Sequence, residues 1–222
     1  MDNFEQIKKF AEKELSCSAH DMDHVMRVFN LSLHLAKNDN VDLEVLKAAA
    51  LLHDIARVKE DNDPTGETDH AVLSAEMAEP ILKDLKFSKE KIKHIQDCII
   101  SHRYKTGNKP QTIEAKILFD ADKLDSLGAI GIARAFVWVG RNNAKIYSKV
   151  DIDEYIRDNL GGKIDGRIKD NTQHSPQIEF ETKIKFIIDK LYTKKAKEVG
   201  AERKQFVEDF LNRLEREVKG EI

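Results

Sequence analysis

The sequence predicts an all-α protein, and three observations support this fold class. Helix-forming residues dominate the 222-residue chain, which contains only 10 Gly and 4 Pro. Apolar residues recur at helical spacing, whereas the alternation of apolar and polar residues that marks strands is scarce. Hydrophobic residues make up 41% of the chain and charged residues 35%, the ordinary balance of a folded protein, so disordered and fibrous classes are excluded.

The size and charge of the chain limit the functions to consider. A chain of 222 residues suits a single domain with a small helical extension and can bury a core. The 37 basic and 40 acidic residues give a net charge of −3, which offers no support for a surface that binds duplex nucleic acid. Cys17 and Cys98 form neither a disulfide framework nor a zinc ribbon. We expect a cytoplasmic protein with no membrane association, because the sequence shows neither a signal peptide nor a membrane-spanning run.

Two amphipathic helices are predicted first, over residues 4–15 and 21–37. At the start of the second helix, His20 and His24 are four positions apart, so they share one face and can chelate a metal together. We favour His24 as the ligand, because it lies deeper in the helix beside the apolar stripe.

The central helix is predicted over residues 42–59, with Asp42 as its N-cap. It is apolar almost all round between residues 48 and 52, which indicates the most buried helix of the chain. The apolar run ends in His53 and Asp54. A buried charge needs a partner or a metal, so this pair anchors a metal site if other ligands converge on it.

Two histidines follow at the ends of further helices. A loop is predicted over residues 60–68, and helices over 69–85 and 89–101. His70 lies in the first turn of one helix, and His102 follows the other. Site residues often lie at such junctions, but ordinary polar residues at helix ends are the competing interpretation.

The next helix is predicted over residues 111–127, and three aspartates follow its apolar run. They are Asp120, Asp122 and Asp125. Because Ala121 and Leu124 separate them, a wholly exposed face is excluded. We expect one aspartate, Asp122, to face inward.

The C-terminal part of the chain carries weaker signals. Gly128 and Gly131 indicate close helix packing rather than phosphate binding, because no strand precedes them. Residues 142–176 are the least regular, and they fit either a solvated excursion or a basic lid near an anionic substrate. Residues 177–222 are predicted to be a C-terminal helical extension, with two helices joined near residues 195–203.

Two histidines and two aspartates would supply a mixed set of nitrogen and oxygen ligands. This set suits Mn²⁺, Fe²⁺, Ni²⁺, Zn²⁺ or Co²⁺ rather than a thiolate-selective metal. Such a metal lowers the pKa of a water molecule from about 15.7 toward ~7 and polarises a phosphoryl oxygen. The cations that could hold phosphates are Arg27, Arg57, Lys59, Lys123 and Arg134. The motifs of serine hydrolases, P-loop proteins and zinc peptidases are absent.

The ordered set of these residues resembles the HD-domain superfamily of metal-dependent phosphohydrolases. The resemblance starts at His24, continues with His53 and Asp54 in Leu-Leu-His-Asp-Ile-Ala-Arg, and ends with Asp122 in Asp-Ala-Asp-Lys-Leu-Asp. It covers about residues 20–140, each piece lying on its own predicted helix.

Two longer stretches are similar to the small stand-alone bacterial HD hydrolases. One runs from His20 to Val28, and the other from Ala129 to Phe136. In that subgroup a C-terminal helical pair is also usual. The resemblance therefore implies an all-helical HD-domain bundle with this pair packed on it.

The resemblance also implies a divalent metal and a reaction. The implied metal ligands are His24, His53, Asp54 and Asp122. The implied reaction is hydrolysis of a phosphate ester or anhydride, a phosphomonoester or pyrophosphate bond in a small phosphorylated molecule, which we expect to be a nucleotide. In HD proteins with two metals, additional histidines lie between the HD pair and the last aspartate. His70 and His102 fall in that interval, and we favour a single metal with these two histidines facing substrate.

The sequence departs from some HD subgroups at the position four residues after His53. A glutamate is usual there in the 5′-nucleotidase-like subgroup, whereas this chain has Arg57. The catalytic base is therefore open, with Asp54, or His70 or His102 through a water, as candidates. The alternative function is a nucleotide- or metal-binding regulatory module without turnover. A homodimer formed by the C-terminal helices is also left open.

Overall fold

The computed structural model describes residues 2–15, 22–103 and 107–222, and His20 lies outside these ranges. The predicted all-α class is confirmed, because helices and turns make up the described residues and no strand occurs among them. None of the described helices combines the length and apolarity that crossing a membrane requires.

The chain divides into two compact units, Met1–Asp122 and Lys123–Ile222. The single-domain organisation stays a prediction. The first unit holds α1 (Asn3–Glu14), α2 (Met22–Leu35), α3 (Leu43–Leu52), α4 (Arg57–Asp61), α5 (His70–Asp84), α6 (Lys89–Ser101) and most of α7 (Ile113–Leu124). The second unit holds α8 (Gly128–Asn142), α9 (Ile152–Asn159), α10 (Pro176–Thr182), α11 (Ile187–Lys190) and α12 (Lys194–Val218).

Helix α3 lies at the centre of the first unit, where it packs against α1, α2, α5 and α6. The Asp42 side chain accepts hydrogen bonds from the main-chain N–H groups of Glu44 and Val45, as expected of an N-cap. Residues 48–52 are at most 2% exposed, so the predicted burial is confirmed. Three of them are alanines, and their small side chains let neighbouring helices approach closely.

The predicted helix over residues 42–59 is wrong in its second half, because α3 ends and α4 begins only at Arg57. In the intervening turn, the main-chain N–H of Ala56 donates to the Ser74 hydroxyl on α5 at 3.0 Å, and both residues are fully buried. This tertiary hydrogen bond takes the place of a helical one and overrides the local periodicity. As a result, His53–Asp54 project from a break between two helices.

Residues 142–176 form part of the second unit and are anchored in it by a few buried residues. Tyr155, Leu160 and Ile178 make a small buried cluster, with apolar residues of α9 packed around it. Ser148 and Ser175, which are also buried, are hydrogen-bonded at 2.8 Å. Residues 161–173 are exposed or half-buried, so the solvated excursion fits only this part of the segment, and the basic lid stays a prediction.

The predicted junction at residues 195–203 is also wrong, because α12 continues through it without interruption. The chain instead turns earlier, between α10 and α12. Gly200 lies inside α12, where an added Cβ would come within 3.1 Å of Leu191 and 3.2 Å of Leu124. Close packing thus holds this glycine in a helix that its conformational freedom would weaken.

The glycines at the start of α8 serve packing, as the sequence indicates. Gly128 has a φ of +69°, a conformation that favours glycine. A Cβ on Gly131 would lie 2.2 Å from the main-chain oxygen of Ser126. A side chain at this position would therefore force the backbone around the first turn of α8 to move.

Candidate metal centre

Three helical segments of the first unit bring the four predicted metal ligands together. His24 lies on α2, His53 and Asp54 follow α3, and Asp122 lies on α7. His24 Nε2 is 3.4 Å from His53 Nε2 and 3.4 Å from Asp122 Oδ1. Asp54 Oδ2 is 3.7 Å from His24 Nε2 and 3.9 Å from His53 Nε2. One oxygen of Asp54 thus faces the first pair of histidines.

The other oxygen of Asp54 faces the two remaining candidate histidines. Asp54 Oδ1 is 3.2 Å from His70 Nε2 and 3.4 Å from His102 Nε2. The two Nε2 atoms are 3.3 Å apart. All three residues are at most 6% exposed. The Asp54 carboxylate therefore lies between two groups of ring nitrogens, with one oxygen directed at each.

The imidazole rings of His53, His70 and His102 are held by hydrogen bonds at Nδ1. His53 donates to the main-chain carbonyl three residues earlier on α3 at 2.8 Å, and His102 donates to the corresponding carbonyl of α6. His70 donates to the Glu60 carboxylate at 2.8 Å. Because Nδ1 carries the proton in each ring, Nε2 keeps its lone pair for a metal.

The spacing of these atoms fits a divalent metal. Two ligands ~2.0–2.2 Å from one ion are roughly 2.8–3.6 Å apart in tetrahedral or adjacent octahedral positions. The closest separations around Asp54 Oδ1 and around His24 Nε2 lie between 3.2 and 3.4 Å. The ligand atoms of two sets lie within 4.8 Å of one another: His24, His53 and Asp122, and His53, Asp54 and His102.

The electrostatics of the site favour the protonation states that metal ligands need. Burial lowers the pKa of His53 to about 4, so its ring is neutral near pH 7. Burial alone would raise the pKa of Asp54, but the surrounding His53, His102 and His70 hold it well below its usual range. Neutral imidazole and ionised carboxylate are the metal-binding forms.

Glu60 is a site residue that sequence analysis missed, because it was placed in the loop after the central helix. Its Oε2 accepts from His70 Nδ1 at 2.8 Å and lies 3.1 Å from Arg57 Nη1. Its Oε1 accepts from Arg103 Nη1 at 2.6 Å. The available signal was the spacing of Arg57 and Glu60, since opposite charges three positions apart pair on a helix face.

The expectation of a single inward-facing aspartate is wrong. Asp120 is fully buried and Asp125 is 3% exposed, whereas the Asp122 side chain is 17% exposed and faces His24. Asp125 can be buried because Arg134 donates to it at 2.7 Å. Periodicity alone does not reveal such pairing partners.

The predicted phosphate-binding cations lie in different settings. Arg57 makes ion pairs with Glu60 at 3.1 Å and with Asp61 at 3.3 Å. Arg134, in the second unit, pairs with Asp125. The remaining cations are the half-buried Arg27 and Lys123 and the exposed Lys59. Their role in holding phosphate stays a prediction.

Comparison with known proteins agrees with the resemblance to HD domains that the sequence shows. The family model described as HD domain matches residues 22–127. YpgQ, an uncharacterised protein of Bacillus subtilis, is 28% identical over an alignment of 222 residues. The alignment covers 97% of this chain and 94% of YpgQ.

Solved structures resemble this chain over nearly its whole length. An HD-superfamily hydrolase from Bacillus thuringiensis has a TM-score of 0.72 at 25% identity and covers 97% of this chain and 96% of its own. YpgQ in complex with ADP has a TM-score of 0.69 at 26% identity, covering 97% and 94%. The Lin1889 protein of Listeria innocua has a TM-score of 0.67 at 29% identity, covering 99% and 98%.

The matched region contains every histidine and aspartate of the centre. These residues are His24, His53, Asp54, His70, His102 and Asp122. The helical fold, the order of the histidines and aspartates, and the similarity to these bacterial proteins agree: residues 22–127 of this chain are an HD domain.

Proposed function

We propose that this protein is a metal-dependent phosphohydrolase that cleaves a phosphomonoester or pyrophosphate bond in a nucleotide. The observation that carries the proposal is the position of the Asp54 carboxylate between two groups of imidazole nitrogens. The complex of YpgQ with ADP supports a nucleotide as the phosphorylated ligand. The physiological metal remains one of the divalent ions that suit nitrogen and oxygen ligands.

The residues divide into two metal-binding sets that share Asp54. His24, His53 and Asp122 join Oδ2 of Asp54 in the first set. His70 and His102 join Oδ1 in the second set, because their Nε2 atoms face this oxygen and each other at 3.2–3.4 Å. This arrangement favours two ions over the single ion with substrate-facing histidines. Bound divalent metal would polarise a phosphoryl oxygen and make water a better nucleophile.

The protein itself supplies orientation and proton acceptance. The Nδ1 hydrogen bonds of His53, His70 and His102 hold their rings before any ligand binds, which lowers the cost of assembling the site. His70 and His102 then have no free ring nitrogen, so we assign them to metal binding rather than to proton transfer. Asp54 has about four lone-pair sites and can accept a proton while it also holds metal.

One observation favours the alternative, a nucleotide- or metal-binding regulatory module without turnover. The position four residues after His53 holds a cation, Arg57, that is ion-paired with Glu60 and Asp61. A carboxylate base is thus missing from that position. The alternative predicts tight nucleotide binding in the presence of metal and no product.

The experiment combines metal analysis with product analysis on the full chain. Extensively dialysed protein is assayed for bound metal and then, with added Mn²⁺, for phosphate and pyrophosphate release from nucleoside mono-, di- and triphosphates. Stoichiometric metal with release of either product supports the hydrolase, and the product identifies the phosphate attacked. Metal and nucleotide binding without product favours the regulatory module. Protein that binds no metal under any condition contradicts the hydrolase, and protein that binds neither metal nor nucleotide contradicts both.

A further inference from the structure

We propose that Glu60 is a positioning residue of the metal centre, which holds His70 with its Nε2 atom directed at Asp54 and His102. The inference rests on the proposed function, because it gives Glu60 a role in binding the second metal. It concerns a carboxylate outside the ligand sets, on the short helix α4.

The contact between Glu60 and His70 determines which ring nitrogen of His70 carries the proton. Glu60 Oε2 is 2.8 Å from His70 Nδ1, and Arg57 Nη1 is 3.3 Å from the same nitrogen. A carboxylate can only accept, so the shorter contact requires a proton on Nδ1. The lone pair of His70 is therefore on Nε2, which lies 3.2 Å from Asp54 Oδ1.

The location of His70 explains why a side chain, rather than a main-chain carbonyl, accepts the hydrogen bond from its Nδ1. His53 and His102 each follow a helix, and each donates to a main-chain carbonyl of that helix. His70 is the first residue of α5, so no preceding turn of that helix offers it a carbonyl. Glu60 supplies the acceptor instead, and its negative charge also raises the basicity of the ligand.

The Glu60 carboxylate is itself held in place. Arg103 Nη1 donates to Oε1 at 2.6 Å, and Arg57 Nη1 lies 3.1 Å from Oε2. Arg103 also pairs with Asp69, the N-cap of α5, at 3.1 Å. Through Arg103, Glu60 is joined to the same helix end that carries His70. Rotation of the carboxylate would break several of these charged contacts at once.

The test compares Glu60→Ala and Glu60→Gln by Mn²⁺ titration under equilibrium dialysis. We expect the wild-type chain to bind two ions and Glu60→Ala to lose roughly 10–100-fold in affinity at one of them, while the other site is unchanged. Glu60→Gln should recover part of this loss, because an amide oxygen still accepts from His70 Nδ1. Asp61→Asn is the matched control, since Asp61 also pairs with Arg57 from α4.

A second measurement separates positioning from general damage to the fold. In the metal-free wild-type protein, the Nδ1 proton of His70 should be visible by ¹⁵N-resolved NMR and protected from exchange. It should disappear in Glu60→Ala, while the signal of the His53 Nδ1 proton persists. Glu60→Ala that binds two ions with unchanged affinity, or a wild-type chain that binds only one ion, overturns the inference but leaves a metal-dependent hydrolase possible. A wild-type chain without metal removes the proposed function as well.

Discussion

His24 on α2 and His53, the residue that follows α3, direct their Nε2 atoms at each other across 3.4 Å. His53 Nδ1–H donates a hydrogen bond to a main-chain carbonyl, so the lone pair of this ring is on Nε2, which faces His24. Two such nitrogens repel unless a proton or a cation lies between them. A proton on His24 Nε2 would make this contact a hydrogen bond, and a divalent cation bound by both nitrogens would replace it.

Replacement of either of two central ligands should remove metal and turnover together. His53→Ala deletes one nitrogen, and Asp54→Asn deletes the charge that both metal sets share. A metal ion contributes several kcal/mol to transition-state stabilisation, so turnover should fall roughly 10³-fold. Metal content by mass spectrometry and product release from the best substrate of the nucleotide panel are the measurements.

His34→Ala is the control for this experiment, because His34 is an exposed histidine of α2, the helix that also carries His24. It should keep both metal and activity. Far-UV circular dichroism should show helical protein for every variant. Activity that persists in a metal-free His53→Ala protein would refute the hydrolase mechanism.

The four predicted ligands could be selected from the sequence because each one lies in a strong local pattern, and their role in binding metal stays a prediction. His24 precedes an apolar helical run, whereas His53, Asp54 and Asp122 each follow one, and these patterns can be recognised from the sequence alone. Their convergence is a property of the fold, and the structure brings their ligand atoms together as the resemblance implies. His70 and His102 have weaker local signals, yet they also reach the centre.

The contact of Glu60 with His70 could not be predicted in the same way. It depends on the break between α3 and α4, which redirects the chain before Glu60. That break is stabilised by Ser74, a residue that lies 18 positions after Ala56 in the sequence. Periodicity reports local preference, and a single tertiary hydrogen bond can override it. Close packing at Gly200 likewise accompanies a continuous α12 where the sequence predicts a junction between two helices.

Ser74→Ala should destabilise the turn that presents His53 and Asp54. The substitution leaves the buried N–H of Ala56 without its acceptor, which costs about 1–3 kcal/mol. Chemical denaturation should report this loss in the free energy of unfolding, and metal affinity should weaken with it. Ser101→Ala is the matched control, since the buried Ser101 hydroxyl donates to main-chain oxygens of its own helix. Equal stability of the two variants would contradict the proposed role of Ser74.

Glu179 should contribute stability that disappears in acid. Burial alone would raise the pKa of Glu179, but hydrogen bonding to His174 and the charge of Lys183 lower it to about 2, from 4.5 in the unfolded chain. The stabilisation is therefore complete above about pH 4.5 and is lost as the pH falls toward about 2. The Glu179 side chain is 28% exposed, so solvent screens part of this interaction. We therefore expect the ionised carboxylate to contribute about 1–3 kcal/mol to the free energy of unfolding.

The measurement for Glu179 is the difference in unfolding free energy between wild type and Glu179→Gln as a function of pH. The difference should be largest near neutral pH and should shrink below about pH 4.5. Glu181→Gln on the same helix is the control, because its ion pair with Lys185 is exposed and contributes little. A difference that does not change with pH would contradict the assignment.

Gly131→Ala and Gly140→Ala should have opposite effects, although both positions lie in α8. A Cβ at position 131 would lie 2.2 Å from the main-chain oxygen of Ser126, so the backbone must move. Overpacking of this kind typically costs ~1–3 kcal/mol. A Cβ at position 140 meets no atom within 4 Å, and alanine is favoured over glycine in a helix by about 0.5–1 kcal/mol. Thermal unfolding should therefore show a lowered Tm for Gly131→Ala and a raised Tm for Gly140→Ala. If both variants unfold at the wild-type temperature, the close approach of α8 to Ser126 is not a constraint on this sequence.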